Sequence, residues 1–378
     1  MGLDFEIHAV DGAARRGLLR TPHGEIATPA FQPVGTLGAV KGVPSHWLEE
    51  AGAQILLSNL YHLSVRPGVA AIEELGGLHR FIGWSRPLLT DSGGYQVFSL
   101  NGLRVVEEEG VIFRSHLDGD TLRFTPESVV EDQRRLGVDI AMMLDECPPY
   151  PVERPRASAA LDRTNRWARR AREAWDRAPG SGGLFAIAQG SVYAELRARA
   201  AAELAAMDFD GYAIGGVSVG EPAAERRAVI AATAPALPDD RVRYLMGVGT
   251  PADIVWAVTH GVDLFDCVLP TRNARHGLLY TRDGVLRIKN ARFRDDQRPI
   301  DEACDCPACR TCGRAFLHHL VRSGEITGAV LASLHNLRFY LDFMVEVREA
   351  IASGRLAQLA AGVVDHAPEH SPRIHAEE

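Results

Sequence analysis

Short apolar runs separated by longer amphipathic stretches organise most of this chain. Eight runs, at 31–35, 55–59, 87–91, 140–145, 185–189, 212–217, 243–249 and 264–268, read as strands buried on both faces. Between them, stretches at 125–136, 156–177, 192–207, 221–234 and 251–260 space their apolar positions as helices do. Thr125-Pro126-Glu127 opens the first of these with an N-cap residue, a proline at the first helical position and an acid in the first turn. Eight buried strands alternating with helices predict a (β/α)8 TIM barrel, an α/β fold. Periodicity alone leaves a doubly wound open sheet as the alternative. A barrel places its chemistry at the C-terminal strand ends. Here those ends carry Asn59, Asp91, Asp145, Gln189, Gly215-Gly216, Gly247 and Asp266.

Two segments stand outside that alternation. Residues 1–30 alternate polar and apolar positions between turn residues, which predicts an N-terminal antiparallel sheet covering one end. Residues 101–124, with a turn signal at Asp118-Gly119, predict a β-hairpin inserted after the third barrel strand. The polar stretch 366–378 is expected to fray. With no repeat and no long linker, 1–378 reads as a single domain whose barrel spans about 31–345.

Composition narrows the classes. The chain has 378 residues, 46% hydrophobic and 24% charged, the range of an ordinary globular protein. No apolar run is long enough for a bilayer, so no membrane association is expected. The first ten residues lack the basic and apolar regions of a signal peptide. A net charge of −8 counts against general nucleic-acid binding, yet residues 266–300 hold eight basic residues against four acids, a local face able to meet phosphates.

Four cysteines, Cys304, Cys306, Cys309 and Cys312, cluster near the C-terminus, and no export signal is expected from the first ten residues. That pattern points to a metal, a reducing compartment and a cytoplasmic location. Three thiolates and an imidazole suit a closed, structural Zn²⁺ site, here a C-terminal zinc-binding subdomain at about 290–345. Either His335 or Cys312 completes the set on spacing alone. Asp91 opens a glycine-rich turn, Asp91-Ser92-Gly93-Gly94-Tyr95, that allows close approach to a ligand and offers a flat ring for stacking. Asp266 lies inside an apolar strand, which is costly unless it is paired or functional. The two aspartates form a candidate pair for glycosyl transfer, one attacking an anomeric carbon and the other moving protons. Asp145 and Gln189 complement a guanine-like Watson–Crick edge, or else cap helices.

Together the motifs at 91–100, 144–151, 188–193, 214–221, 244–249, 265–272 and 304–340 resemble the tRNA-guanine transglycosylase family in its bacterial queuine-pathway form. The resemblance runs from the first strands to about residue 345. It implies a pentosyltransferase that exchanges guanine at the wobble position of GUN-anticodon tRNAs for preQ1. Asp266 would be the nucleophile and Asp91 the acid/base, with Ser92, Gly93 and Gly94 beside it. Asp145, Gln189, Gly216 and Val217 would read the flipped base between Tyr95 and Met246. The stretches Gly247, Val248, Gly249, Thr250, Pro251, Ala252, Asp253 and Thr271, Arg272, Asn273, Ala274, Arg275 would hold RNA. Cys304, Cys306, Cys309 and His335 would bind one Zn²⁺ per subunit. A homodimer is also implied. The chain departs from the family pattern at Thr250, where a lysine is expected, and at His276, where an asparagine is expected. A glycoside hydrolase needs neither the cysteine cluster nor the basic segment. A non-catalytic RNA-binding relative does not need both Asp91 and Asp266, and a plain zinc-dependent nucleic-acid binder leaves the rim carboxylates unexplained.

Overall fold

The computed structural model describes residues 2–99, 104–115 and 119–363. Three strands, β1 (Asp4–Asp11), β2 (Ala14–Thr21) and β3 (Gly24–Thr28), form an antiparallel sheet. The barrel uses β4 (Ala30–Pro33), β5 (Leu56–Asn59) and β6 (Leu88–Asp91). An inserted sheet of β7 (Arg104–Val106), β8 (Val111–Arg114) and β9 (Thr121–Phe124) follows. The barrel resumes with β10 (Ile140–Met142), β11 (Gly183–Ala188), β12 (Gly211–Ile214), β13 (Val242–Leu245) and β14 (Leu264–Cys267). A last hairpin pairs β15 (Leu278–Thr281) with β16 (Gly284–Arg287).

The eight barrel strands are parallel and neighbour one another in chain order. The ring closes where Val34 bridges Leu57 and Gly35 N–H donates to Leu57 O at 2.7 Å. The open-sheet alternative is thereby excluded. Helices Pro126–Leu136, Arg154–Arg177, Ala194–Ala205, Ala223–Thr233 and Pro251–Val258 lie where the pattern predicts them. Thr125 caps the first of them, accepting from Ser128 N–H while Ser128 Oγ accepts from Thr125 N–H.

Register decides which residues face the interior, because paired residues share a face and alternate residues return to it. Gln32 pairs with Asp266, Leu264 with Tyr244, Tyr244 with Ala213 and Ala213 with Ile187. On the other side, Asn59 pairs with Asp91. Following alternation around the closed ring puts Gln32, Asn59, Asp91, Gln189, Met246 and Asp266 on one face. The opposite face packs on helices, as Phe31 does against Tyr340 with ring centroids 4.9 Å apart. The first set therefore lines the inside of the barrel at its C-terminal mouth.

The N-terminal sheet covers the other mouth. Arg15 on β2 is buried against Asp263 at the foot of β14 and donates to Asp239 O and Arg241 O. His23 and His79 stack at 3.7 Å, each directing one ring nitrogen to a different oxygen of Asp139 at the foot of β10. These bonds staple the N-terminal sheet to the foot of the barrel.

Two expectations change. The inserted hairpin is a three-stranded antiparallel sheet, with β7 added to the β8–β9 pair. Gly119 of its turn adopts φ +81°, while Asp118 lies outside the described residues, as does 366–378. The runs at 140–145, 212–217 and 243–249 overshoot their strands, which end at Met142, Ile214 and Leu245. Apolarity tracks burial, and the rim is buried beyond the last ladder bond.

After β14 the chain builds a second core from Ala274, Leu279, Leu286, Ile288, Phe293, Ile300 and Leu317. The 27-residue helix Ile326–Ala352 belongs to both cores, placing Ala332 in the second and Leu334, Leu337 and Tyr340 in the first. Buried Asn336 ties it down, donating to Pro270 O and Leu278 O and accepting from Tyr280 N–H.

Candidate active site and metal centre

The two candidate catalytic carboxylates occupy different environments on the same rim. Asp266 is buried on β14, and its Oδ1 accepts from Tyr244 O–H at 2.6 Å and Gly247 N–H at 2.7 Å. Burial pushes its pKa up, and those two donors oppose the shift. Its Oδ2 carries neither bond. Asp91 is half-buried at the end of β6. Its Oδ2 accepts from Asn59 Nδ2 at 2.5 Å and its Oδ1 from Leu60 and Gly93 N–H, both at 3.3 Å. Burial raises the Asp91 pKa to about 7 against the pull of these donors, and the charge of Asp266 adds to the rise. Two donors thus favour the charged form of Asp266 against the net rise from burial, while Asp91 is poised to gain or lose a proton near neutrality.

On the same rim a second buried polar group forms around Asp145. Gln189 Nε2 donates to Asp145 Oδ2 at 2.6 Å, and the Ser92 hydroxyl also bonds this carboxylate. Burial lifts Asp145 to about 6. Two glycines let the backbone close in. A Cβ on Gly94 would stand 1.8 Å from Asp145 Oδ1, and one on Gly216 would stand 2.2 Å from Gln189 Oε1. Gly216 adopts φ +63°, a conformation other residues resist. Gln189 Oε1 is buried with no partner among the described residues, the sign of a site built for a ligand. Tyr95 is exposed on the helix Gly94–Ser99 after β6, while Met246 is half-buried after β13. Val217, next in the chain after Gly216, is buried.

The predicted RNA-holding stretches divide. Gly247 is exposed, and Arg272, Asn273 and Arg275 are half-buried on the helix Leu269–Arg275. Val248, Gly249, Pro251, Asp253, Thr271 and Ala274 are buried. Asp253 is held by Arg226 at 2.8 Å and Arg227 at 3.3 Å, so its carboxylate is already engaged. Thr250, standing where a lysine is expected, caps the helix Pro251–Val258 by accepting from Asp253 N–H.

The structure brings Cys304, Cys306, Cys309 and His335 together, their ligand atoms all within 4.8 Å of one another. His335 Nδ1 lies 3.3 Å from Cys309 Sγ and 3.7 Å from Cys306 Sγ. Its Nε2 donates to Tyr280 O at 2.8 Å, which fixes the tautomer that leaves Nδ1 free for a metal. This donor set fits a structural metal ion. Cys312 stands outside it, in contact with the Thr311 hydroxyl.

Tyr244 and Asn59 partner the carboxylates without a local sequence signal for that pairing, although Asn59 stands at a strand end. The signal for Tyr244 is a tyrosine within the apolar run that precedes Met246-Gly247, and only register connects it to Asp266.

The family model described as Queuine tRNA-ribosyltransferase matches residues 11–369. A queuine tRNA-ribosyltransferase of Thiobacillus denitrificans is 53% identical over 359 residues, covering 95% of this chain and 97% of its own. One from Nitrosomonas eutropha is 54% identical over 358 residues, 95% of this chain and 99% of its own. One from Nitratidesulfovibrio vulgaris is 53% identical over 354 residues, 94% of each.

Proposed function

The chain belongs to the queuine tRNA-ribosyltransferase family of pentosyltransferases, and from that premise we propose that it exchanges guanine at the wobble position of GUN-anticodon tRNAs (Asp, Asn, His, Tyr) for preQ1. The observation that carries the reading is the asymmetric carboxylate pair on the barrel rim. Asp266 Oδ2 attacks C1′ of the flipped nucleotide, the C1′–N9 bond breaks, and Asp91 protonates the departing guanine. In the second half Asp91 takes the proton from preQ1 N9, the new C1′–N9 bond forms and the C1′–Oδ2 bond breaks. One N-glycosidic bond replaces another, so no redox partner or energy source is needed.

Base recognition follows from the pocket. Asp145 accepts from the N1 and N2 hydrogens of the base, and the second amide hydrogen of Gln189 donates to its carbonyl, with Tyr95 and Met246 flanking the ring. Glu221 accepts Ser218 N–H at 2.5 Å and Val219 N–H at 2.9 Å. In a planar trans peptide the N–H and C=O point opposite ways, so the Val217 carbonyl turns away from Glu221. That carbonyl supplies an acceptor for the aminomethyl ammonium of preQ1. Gly247 and the helix Leu269–Arg275 supply the anticodon contacts.

The metal in this reading is Zn²⁺, since three thiolates and an imidazole make the closed tetrahedral set that zinc favours. It holds the second core together and takes no part in the exchange. Among the described residues no helix is long and apolar enough to cross a membrane. Free thiols and a tRNA substrate suit the cytoplasm, and a homodimer would let one subunit act while its partner helps seat the tRNA; sedimentation with and without tRNA tests the dimer.

The deciding experiment is incorporation of labelled preQ1 into a GUN-anticodon tRNA by wild type and Asp266→Asn, with the covalent adduct followed on denaturing gels. Wild type should incorporate the label and form the adduct, while the variant binds tRNA and does neither. Full exchange by the variant removes Asp266 from the nucleophile's role.

A further inference from the structure

Arg197 on the helix Ala194–Ala205 is fully buried, yet its guanidinium makes no hydrogen bond to a carboxylate among the described residues. Instead it donates to four backbone carbonyls: Ser191 O at 2.8 Å, Ala188 O at 2.8 Å, Gly215 O at 2.7 Å and Gly216 O at 3.3 Å. Those carbonyls flank Gln189 on one loop and form the Gly215-Gly216 turn on the next. Both loops hold residues at positive φ, namely Gly190, Ser191, Gly216 and Ser218. Such backbone persists only when its surroundings hold it. Burying a cation this way is expensive, and charge-assisted bonds to carbonyls are the compensation on view.

We propose that Arg197 is a positioning residue for base recognition, holding the Gly215 and Gly216 carbonyls from behind so that the Gly216 and Val217 N–H groups face the base. The geometry of the peptide unit supplies the link. The Gly215 carbonyl and Gly216 N–H belong to one planar trans peptide and point opposite ways, as do the Gly216 carbonyl and Val217 N–H. A cation on the carbonyl side also polarises each peptide, which strengthens its N–H as a donor. The ligand feature recognised is a ring carbonyl, the oxygen that guanine and its 7-deaza analogues share. This inference rests on the base-exchange reading above and names a further residue that serves the same pocket.

The test separates base capture from everything else. Arg197→Lys and Arg197→Met are compared with wild type for preQ1 KM, tRNA affinity and melting temperature, with added guanidinium as a rescue of the methionine variant. Losing two aligned donors should raise the preQ1 KM about tenfold while tRNA affinity stays within about twofold. Guanidinium should lower the raised KM. A preQ1 KM equal to wild type in a folded variant, or a matched loss of tRNA affinity, would overturn the proposal. If neither variant folds, amide hydrogen exchange on wild type decides: saturating preQ1 should protect Gly216 and Val217 N–H, and unchanged exchange at both refutes it. Wild type that fails to incorporate preQ1 at all is a different failure, that of the base-exchange reading.

Discussion

Tyr244→Phe isolates one hydrogen bond to the proposed nucleophile. The ring is fully buried and its hydroxyl donates to Asp266 Oδ1 at 2.6 Å. Phenylalanine fills the same slot, and Gly247 N–H remains on the same oxygen at 2.7 Å. A bond to a buried charge contributes about 1.5–3 kcal/mol, a factor of about ten or more in an equilibrium constant, and its loss raises the Asp266 pKa. The direction follows because the hydroxyl favours the ionised carboxylate. In the proposed exchange, adduct formation needs Asp266 ionised and Asp91 protonated, so it rises with pH as Asp266 ionises, the acidic limb, and falls as Asp91 loses its proton near 7, the basic limb. The substitution moves only the acidic limb upward, narrowing the profile and lowering its maximum. Single-turnover adduct formation with a GUN-anticodon tRNA between about pH 4 and 9 reads both limbs. An acidic limb that stays in place, with adduct still forming, would falsify the pairing of Tyr244 with the reacting carboxylate.

Other consequences are equally open to measurement. Asp91 has a folded pKa of about 7 against an ordinary 3.8, so its contribution to stability is complete below about pH 4 and disappears as pH rises through 7. Asp91→Asn should therefore unfold at a higher temperature than wild type at pH 8, with the gap closing toward pH 5; a gap that widens on acidification contradicts the raised pKa. Gly94→Ala drives a methyl into Asp145 Oδ1, at 1.8 Å, and should raise the preQ1 KM at least about tenfold with tRNA affinity retained. Wild-type KM in that variant would move base recognition away from Asp145. His335→Ala should lose its metal and open amide exchange in the second core, while Cys312→Ser keeps both, as metal analysis and hydrogen exchange will show. Loss of metal from Cys312→Ser would return that cysteine to the ligand set.

The alternation of strand and helix, the positions of Asp91, Asp145, Gln189 and Asp266 at the ends of apolar runs, and the cluster of thiols are all legible in the sequence. These are local properties. Burial of a short segment is written in its own apolar residues, and a metal motif is written in its spacing. Tertiary structure decided what depends on which distant segments meet. Closure between Val34 and Leu57 turned a row of strands into a barrel. Register brought Tyr244 to Asp266 and Asn59 to Asp91. Packing of the Ile326–Ala352 helix delivered His335, and not Cys312, to the three thiols. Packing of the Ala223–Thr233 helix beside Pro251–Val258 drew the Asp253 side chain into ion pairs with Arg226 and Arg227. None of these contacts has a local pattern, because a hydrogen-bond partner dozens of residues away is chosen by strand order and helix packing.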